Sequence, residues 1–296
     1  MERRLKMTRT RPRARADGAG DGVAAEIAIG QTAAPTYHGT GLVEQTLAIA
    51  RRAVVRTARQ RALIIFPMIF PLILFAINGS ALSSATRIPG FPTHNYRDFL
   101  IAMPFVQGAM FVSISAGVDL AKDIETGFLN RLAMTPVRGE ALLIGQLGGA
   151  FVLGIIQAIV YLLVGLATGV TFASGIGGAL VLLVLSILIS FAFGSLGVLL
   201  ALRFGSGEAV QGVFPLLFVT IFLSSSSLPR NLIKASWFRD VATYNPVSYL
   251  LEALRSLVIT GWDARALALG FGFAFALLVI ALGFSNALMR SRLTRT

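Results

Sequence analysis

DLAKDIETGFLNRLAMTPVR, residues 119–138, separates two apolar runs, FLIAMPFVQGAMFVSISAGV at 99–118 and ALLIGQLGGAFVLGIIQAIVYLLVGL at 141–166. A turn between two buried helices needs only a handful of polar residues. This insert is long enough to form a helix of its own. Ile124, Phe128 and Leu132 lie four apart and make one apolar stripe, while Glu125, Asn130 and Arg131 point elsewhere. Asp123 and Glu125 stand near the expected start and Arg131 near the end, an order that suits the helix dipole. Thr135 precedes Pro136, so the backbone leaves the helical region there. Gly127 falls in the interior, where glycine costs about 1 kcal/mol; it marks a close approach by another backbone or a weak point. On these residues alone, a partner-contacting helix and a solvated loop both stay open.

The flanking runs set the class. Hydrophobic residues make up 55% of the 296-residue chain and charged residues 14%, with mean hydropathy +0.75; a soluble domain is about 25% charged. Runs of about 20 apolar residues recur, each long enough to cross a hydrocarbon core of about 30 Å as helix. The reading is an all-α, polytopic membrane protein. The absence of cysteine excludes disulfides, thiolate metal sites and cysteine nucleophiles.

Residues 1–41 form one expected domain, a disordered basic cytoplasmic tail, and residues 42–296 a transmembrane domain. The run RRLKMTRTRPRAR, 3–15, is not followed by an apolar segment, so it is no secretory signal; it suits anionic lipid. From Val43 to Arg61, Val43, Leu47, Ala50, Val54 and Ala58 oppose Arg52, Arg56 and Arg59, the pattern of a helix lying in the membrane interface. Six spans are expected near 62–80, 99–118, 141–168, 178–202, 209–228 and 265–289. Pro67 and Pro71 kink the first, which neighbouring helices must accommodate. Basic residues gather in the amino-terminal segment, the 119–139 insert, the 203–208 turn and the tail MRSRLTRT, while GVTFASGIGG, 169–178, has none. Both termini are therefore expected in the cytoplasm. The net charge of +12 belongs to this bias, and no nucleic-acid partner is expected.

Between spans five and six, the apolar part from Val247 to Ile259 is too short to cross and contains Glu252 and Arg255. Two charges near a helix centre add roughly 5–7 kcal/mol to insertion. A re-entrant or interfacial helical hairpin on the outer side is the better fit. Trp237, Tyr244, Tyr249 and Trp262 suit such an interface. Glu252 and Arg255, three apart, are placed to pair across one helical turn.

Two ordered sets of residues now carry a resemblance. Glu125, Gly127, Leu129, Arg131, Leu132, Thr135, Pro136 and Arg138 follow an acidic–Gly–Leu–Arg–Leu–Thr–Pro–Arg order. Far downstream come Leu228–Pro229, then Asn245–Pro246, Tyr249, Glu252, Ala253 and Arg255. In both, and over roughly residues 43–289, the chain resembles type-2 ATP-binding-cassette (ABC) exporter permeases of the daunorubicin-resistance type. Met103–Pro104–Phe105 departs from that pattern, standing where many relatives have Pro–Gly.

The resemblance implies an inner-membrane permease that moves drugs or lipids outward. It implies a pair of six-span subunits, a second copy or a paralogue, beside two separate ABC ATPase subunits. The insert then resembles the coupling helix that rests in a groove of the ATPase, with Glu125, Gly127, Phe128, Leu129, Arg131, Leu132, Thr135 and Pro136 as its residues. Asn245, Pro246, Tyr249, Glu252 and Arg255 belong to the outer hairpin, and the Val43–Arg61 helix resembles the family's connecting helix. No cofactor is expected. Lys6, Lys122 and Lys234 each follow a residue other than glycine, so the chain has no Gly-Lys-Ser/Thr phosphate-binding loop.

Rival readings find less to stand on. An ion-coupled secondary transporter usually keeps ionisable groups within its spans, and the interiors of these six have none. His38 and His94 are too isolated for an intramembrane enzyme. Gly145–xxx–Gly149 and Gly165–xxx–Gly169 mark close helix packing or chance. Phe214, Phe218 and Phe222 suit lipid contact or packing.

Overall fold

The computed structural model of the chain describes residues 41–59, 61–133 and 139–293. The basic tail apart from Gly41, together with Thr135, Pro136 and Arg138, lies outside the described residues. Every regular element among them is helical. In chain order these are α1 (Leu42–Arg59), α2 (Arg61–Ala81), α3 (Tyr96–Leu100), α4 (Ala102–Glu125), α5 (Phe128–Ala133) and α6 (Gly139–Ala167). Then come α7 (Gly175–Phe204), α8 (Gly207–Phe222), α9 (Ser236–Tyr244), α10 (Pro246–Ile259) and α11 (Ala264–Leu293).

Among the described residues, five stretches are long and apolar enough to cross a membrane: Ile64–Ala81, Tyr96–Glu125, Ala141–Ala167, Gly175–Phe204 and Ala264–Ser291. The remaining expected span, 209–228, is the 16-residue α8, which stops at Phe222. Hydropathy runs past that end through Leu223 and Leu228, but four serines lie between them. The Ser224 hydroxyl donates to the carbonyl of Ile221, a local bond that competes with helix continuation.

The Tyr96–Glu125 segment is the axis of the bundle, with 83% of it buried against 17% for Ala264–Ser291. α4 packs most extensively on α7, and it also meets α8, α6 and α2. The approach to α7 is set by glycine: a Cβ on Gly197 would lie 1.8 Å from the Ser113 carbonyl oxygen. α2 carries Pro67 and Pro71 without a break. Pro71 has no N–H, so the Pro67 carbonyl lacks its intrahelical donor. The fully buried Tyr161 of α6 donates its hydroxyl to that oxygen at 3.3 Å.

α1 lies along α6. A Cβ on Gly145 would come within 2.6 Å of the Ile49 Cβ, and one on Gly149 within 2.6 Å of the Thr57 Oγ1. The Gly145–xxx–Gly149 spacing is thus close packing, against the amino-terminal helix. The packed face of α1 runs through Ile49, Ala50, Ala53 and Thr57, while Val43 and Leu47 remain 67% and 62% exposed. The apolar stripe read from the sequence is therefore rotated from the buried one. Gly145→Val should lever α1 off α6 and raise tryptic cleavage after Arg51, Arg52 and Arg56 several-fold. Gly283→Ala, where a Cβ meets nothing within 4 Å, should leave the digest unchanged.

Candidate functional site

The insert after the second span is built differently from its sequence reading. α4 does not stop at Val118 but runs on to Glu125, so Asp119, Asp123 and Glu125 crowd a helix carboxyl end, where the dipole disfavours them. Each is answered from another element. Asp123, with 6% of its side chain exposed, accepts from Arg52 Nη1 and Nη2 at 3.2 and 3.1 Å and from Arg56 Nη1 at 2.9 Å. Gln146 Nε2 of α6 donates to it at 2.6 Å. Arg56 also reaches Asp119 at 3.4 Å. Glu125 Oε1 accepts from the backbone N–H of Gly207 at 2.9 Å, which ties the end of α4 to the first turn of α8.

Gly127 is the break, not a helix interior. Its φ of +66° is the left-handed conformation that closes a helix and favours glycine. Its N–H donates to the Ile124 carbonyl, and its own carbonyl accepts from the Arg131 N–H, each at 3.0–3.1 Å. α5 then leaves in a new direction as a six-residue helix. A Cβ at Gly127 meets nothing within 4 Å in this chain, so any intolerance here comes from the backbone. Gly127→Val should lower stability by about 1–2 kcal/mol, the usual left-handed penalty. Gly127→Asn should cost less, because Asn visits that region readily; thermal melting of the two variants checks the order.

The residues of α5 divide between the bundle and the surface. Leu129 is buried in a hydrophobic cluster with Leu142, Leu143 and Leu147 of α6, and Ile124 packs against that cluster. The Phe128 ring lies under the Arg52 guanidinium, 3.8 Å from ring centroid to Cζ. The one aromatic of the expected coupling helix therefore has one face occupied within the chain. Arg131 is exposed, its Nη2 3.5 Å from the Thr126 carbonyl. Leu132 falls in α5, but its side chain is outside the described residues.

The second set of residues gathers at the other end of α8. Asn245 caps α10, accepting from the Val247 N–H at 2.9 Å, and Pro246 occupies the first turn. The Asn245 amide also donates to the Thr220 carbonyl at 2.6 Å. Tyr249 stacks on Phe273 and donates to the Thr243 carbonyl at 2.9 Å. The expected Glu252–Arg255 pair does not form. Glu252 Oε1 instead lies 2.7 Å from Arg230 Nε and accepts from the Ser225 hydroxyl at 3.1 Å. Arg255, 5% exposed, donates to the carbonyls of Phe99 (2.8 Å), Ser225 (2.5 Å) and Ser226 (2.5 Å). Its guanidinium also covers the Phe99 ring at 3.6 Å. Burial lowers the Arg255 pKa to about 9, with Glu252 and Tyr96 opposing, so the group is charged at neutral pH.

Both clusters lie within residues 44–259, and these residues match the ABC-2 type transporter family. The chain belongs to that family. This ABC-2 type transporter is similar to the probable doxorubicin resistance ABC transporter permease protein DrrC of Mycobacterium tuberculosis, 24% identical over 80% of this chain and 85% of that one. It is also similar to the daunorubicin resistance ABC transporter permease protein DrrB1 of Streptomyces coeruleorubidus, 26% identical over 66% of this chain and 67% of that one. The matched region begins on α1 and ends with the last residue of α10. It takes in the arginines of α1 that clamp Asp123.

Sequence reasoning passed over Asp119, Gln146 and the role of Arg52 and Arg56. A signal was present: Asp119 and Asp123 repeat at four residues, as do Arg52 and Arg56. Two acidic groups at a helix carboxyl end require cations from elsewhere.

Proposed function

We propose that the chain is the permease subunit of an ATP-driven exporter, carrying hydrophobic or amphipathic molecules, drugs or lipids, out across the inner membrane. ATP is hydrolysed on a separate ABC ATPase subunit, and two permeases, identical or paralogous, form the pathway. In this reading α8 is the fifth of six spans, α1 lies in the interface and α9–α10 form an outer re-entrant hairpin. Both termini are then cytoplasmic. The exposure of Trp237, Tyr244 and Trp262 suits an outer interface, and that of Val43 and Leu47 an inner one.

The observation that carries the reading is α5: a short helix set beyond a left-handed break, clamped by Arg52 on one side, with Arg131 exposed. Such an element is anchored in the bundle through Leu129 and leaves its Arg131 side open to a partner. Glu125, Gly127, Phe128, Leu129, Arg131, Leu132, Thr135 and Pro136 remain its proposed coupling residues. Inverted vesicles containing the chain and a partner ABC ATPase should accumulate doxorubicin on addition of ATP, and vesicles with the chain alone should not. Accumulation by the chain alone under a proton gradient would instead establish an ion-coupled carrier.

A further inference from the structure

A cavity of about 230 Å³ opens at the α5 end of the bundle, where α1, α2, α4, α6 and α8 meet. Its inner wall is aliphatic, formed by Ile64, Ile114, Val118 and the 2%-exposed Leu153. Its rim is polar, with Thr57 from α1, Lys122 from α4 and Gln211 from α8. Lys122 and Gln211 are exposed, which places the opening on their side.

The charge at the rim has a definite sign. Lys122 makes no ion pair among the described residues. The one carboxylate in the lining, Asp119, is already opposed by Arg56 at 3.4 Å. Asp123, one turn away, is held by both arginines of α1. Asp119 also feels the Lys122 charge, so Arg52, Arg56 and Lys122 set three positive charges against these two carboxylates, and one is left in excess beside the Thr57 hydroxyl and the Gln211 amide. Three side chains from three elements converge above an apolar wall, the arrangement of a small-molecule site.

The geometry points to a binding site for an amphipathic anion, with its acidic head at Lys122, Thr57 and Gln211 and its apolar chain against Ile114, Val118 and Leu153. The head belongs at the rim because an anion there keeps part of its hydration, while the chain gains from leaving water. A neutral ligand would leave that excess positive charge unanswered. A cationic one would face it directly. The site concerns binding and stands whether or not the chain exports. Two sources supply this chemistry, an acidic phospholipid of the leaflet and a free acidic amphipath.

The test is equilibrium binding of 11-(dansylamino)undecanoic acid and of its methyl ester to the purified full chain in a neutral detergent. Fluorescence is read against protein-free micelles. The acid should bind saturably at one site, and the ester at least tenfold more weakly. Lys122→Glu should weaken the acid at least tenfold, and Lys122→Arg should retain it. Val118→Phe, at a half-buried wall position, should block the cavity while the protein stays monodisperse. Equal affinity for acid and ester, or unchanged affinity in Lys122→Glu, overturns the site, as does absence of saturable acid binding. Given Lys122-dependent binding, displacement by phosphatidylglycerol but not phosphatidylcholine assigns the site to a membrane lipid. Displacement by neither assigns it to a free amphipath.

Discussion

Arg255→Leu should abolish recovery of folded protein, while Glu252→Ala should leave most of it. Arg255 donates to three backbone carbonyls, Phe99 at the foot of α3 and Ser225 and Ser226 in the turn after α8. Helix ends leave carbonyls without intrahelical partners, and in this dry region a single side chain supplies the missing donors. Leucine has a similar buried bulk but no donor, and each carbonyl left unsatisfied costs about 1–3 kcal/mol. Lysine should not rescue, because a compact ammonium cannot reproduce the planar fork that serves three acceptors at once. Glu252 is 36% exposed in its side chain and pairs with the 21%-exposed Arg230, so its loss should cost about 0–1 kcal/mol. Monodisperse yield and melting temperature in detergent separate the cases. Equal losses for Arg255→Leu and Glu252→Ala would return the two residues to a simple mutual pair.

Asp123→Ala should free α1 from the bundle and uncouple α5 from it. The carboxylate is the meeting point of Arg52, Arg56 and Gln146, from α1 and α6. Removing one member of a buried charged group costs about 3–5 kcal/mol, because the remaining charges lose their compensation. Arg52 would then be free to leave the Phe128 ring, and the orientation of α5 with it. The expected result is rapid tryptic cleavage in α1 and loss of ATP-dependent transport. Asp123→Asn should do nearly as much, since an amide accepts but carries no charge to answer two guanidinium groups. Normal protease resistance and normal transport in Asp123→Ala would remove the clamp from the mechanism.

Much of the architecture can be read from hydropathy alone, because run length and apolar character are local properties. The first, second, third, fourth and last expected spans correspond to helices at those places. What hydropathy misses are features decided by distant partners. Spacing pairs Glu252 with Arg255, yet Arg255 finds its acceptors 29 and 30 residues upstream in a serine turn. The end of α4 looked like a helix start, because acidic residues suit an amino terminus. Arginines from α1, 67 and 71 residues away, allow them at a carboxyl end instead. Gly127 reads as a flaw in a helix until its φ makes it the break between two. Spacing runs the stripe on α1 through Val43 and Leu47, whereas the buried face is chosen by the glycines of α6.

α8 has 16 residues, which at a rise of about 1.5 Å each spans only about 24 Å. If α8 is the fifth span, as proposed, it falls about 6 Å short of a hydrocarbon core near 30 Å. The chain would then turn at Ser224–Ser227 before it reaches the headgroups, at a depth where bare carbonyls are tolerated only if protein serves them. In that arrangement Arg255 is what permits the early exit. Lipids against α8 would have to shorten or tilt to meet it. The proposed topology thus carries a hydrophobic mismatch at this helix, and acyl-chain length becomes a variable that tests it.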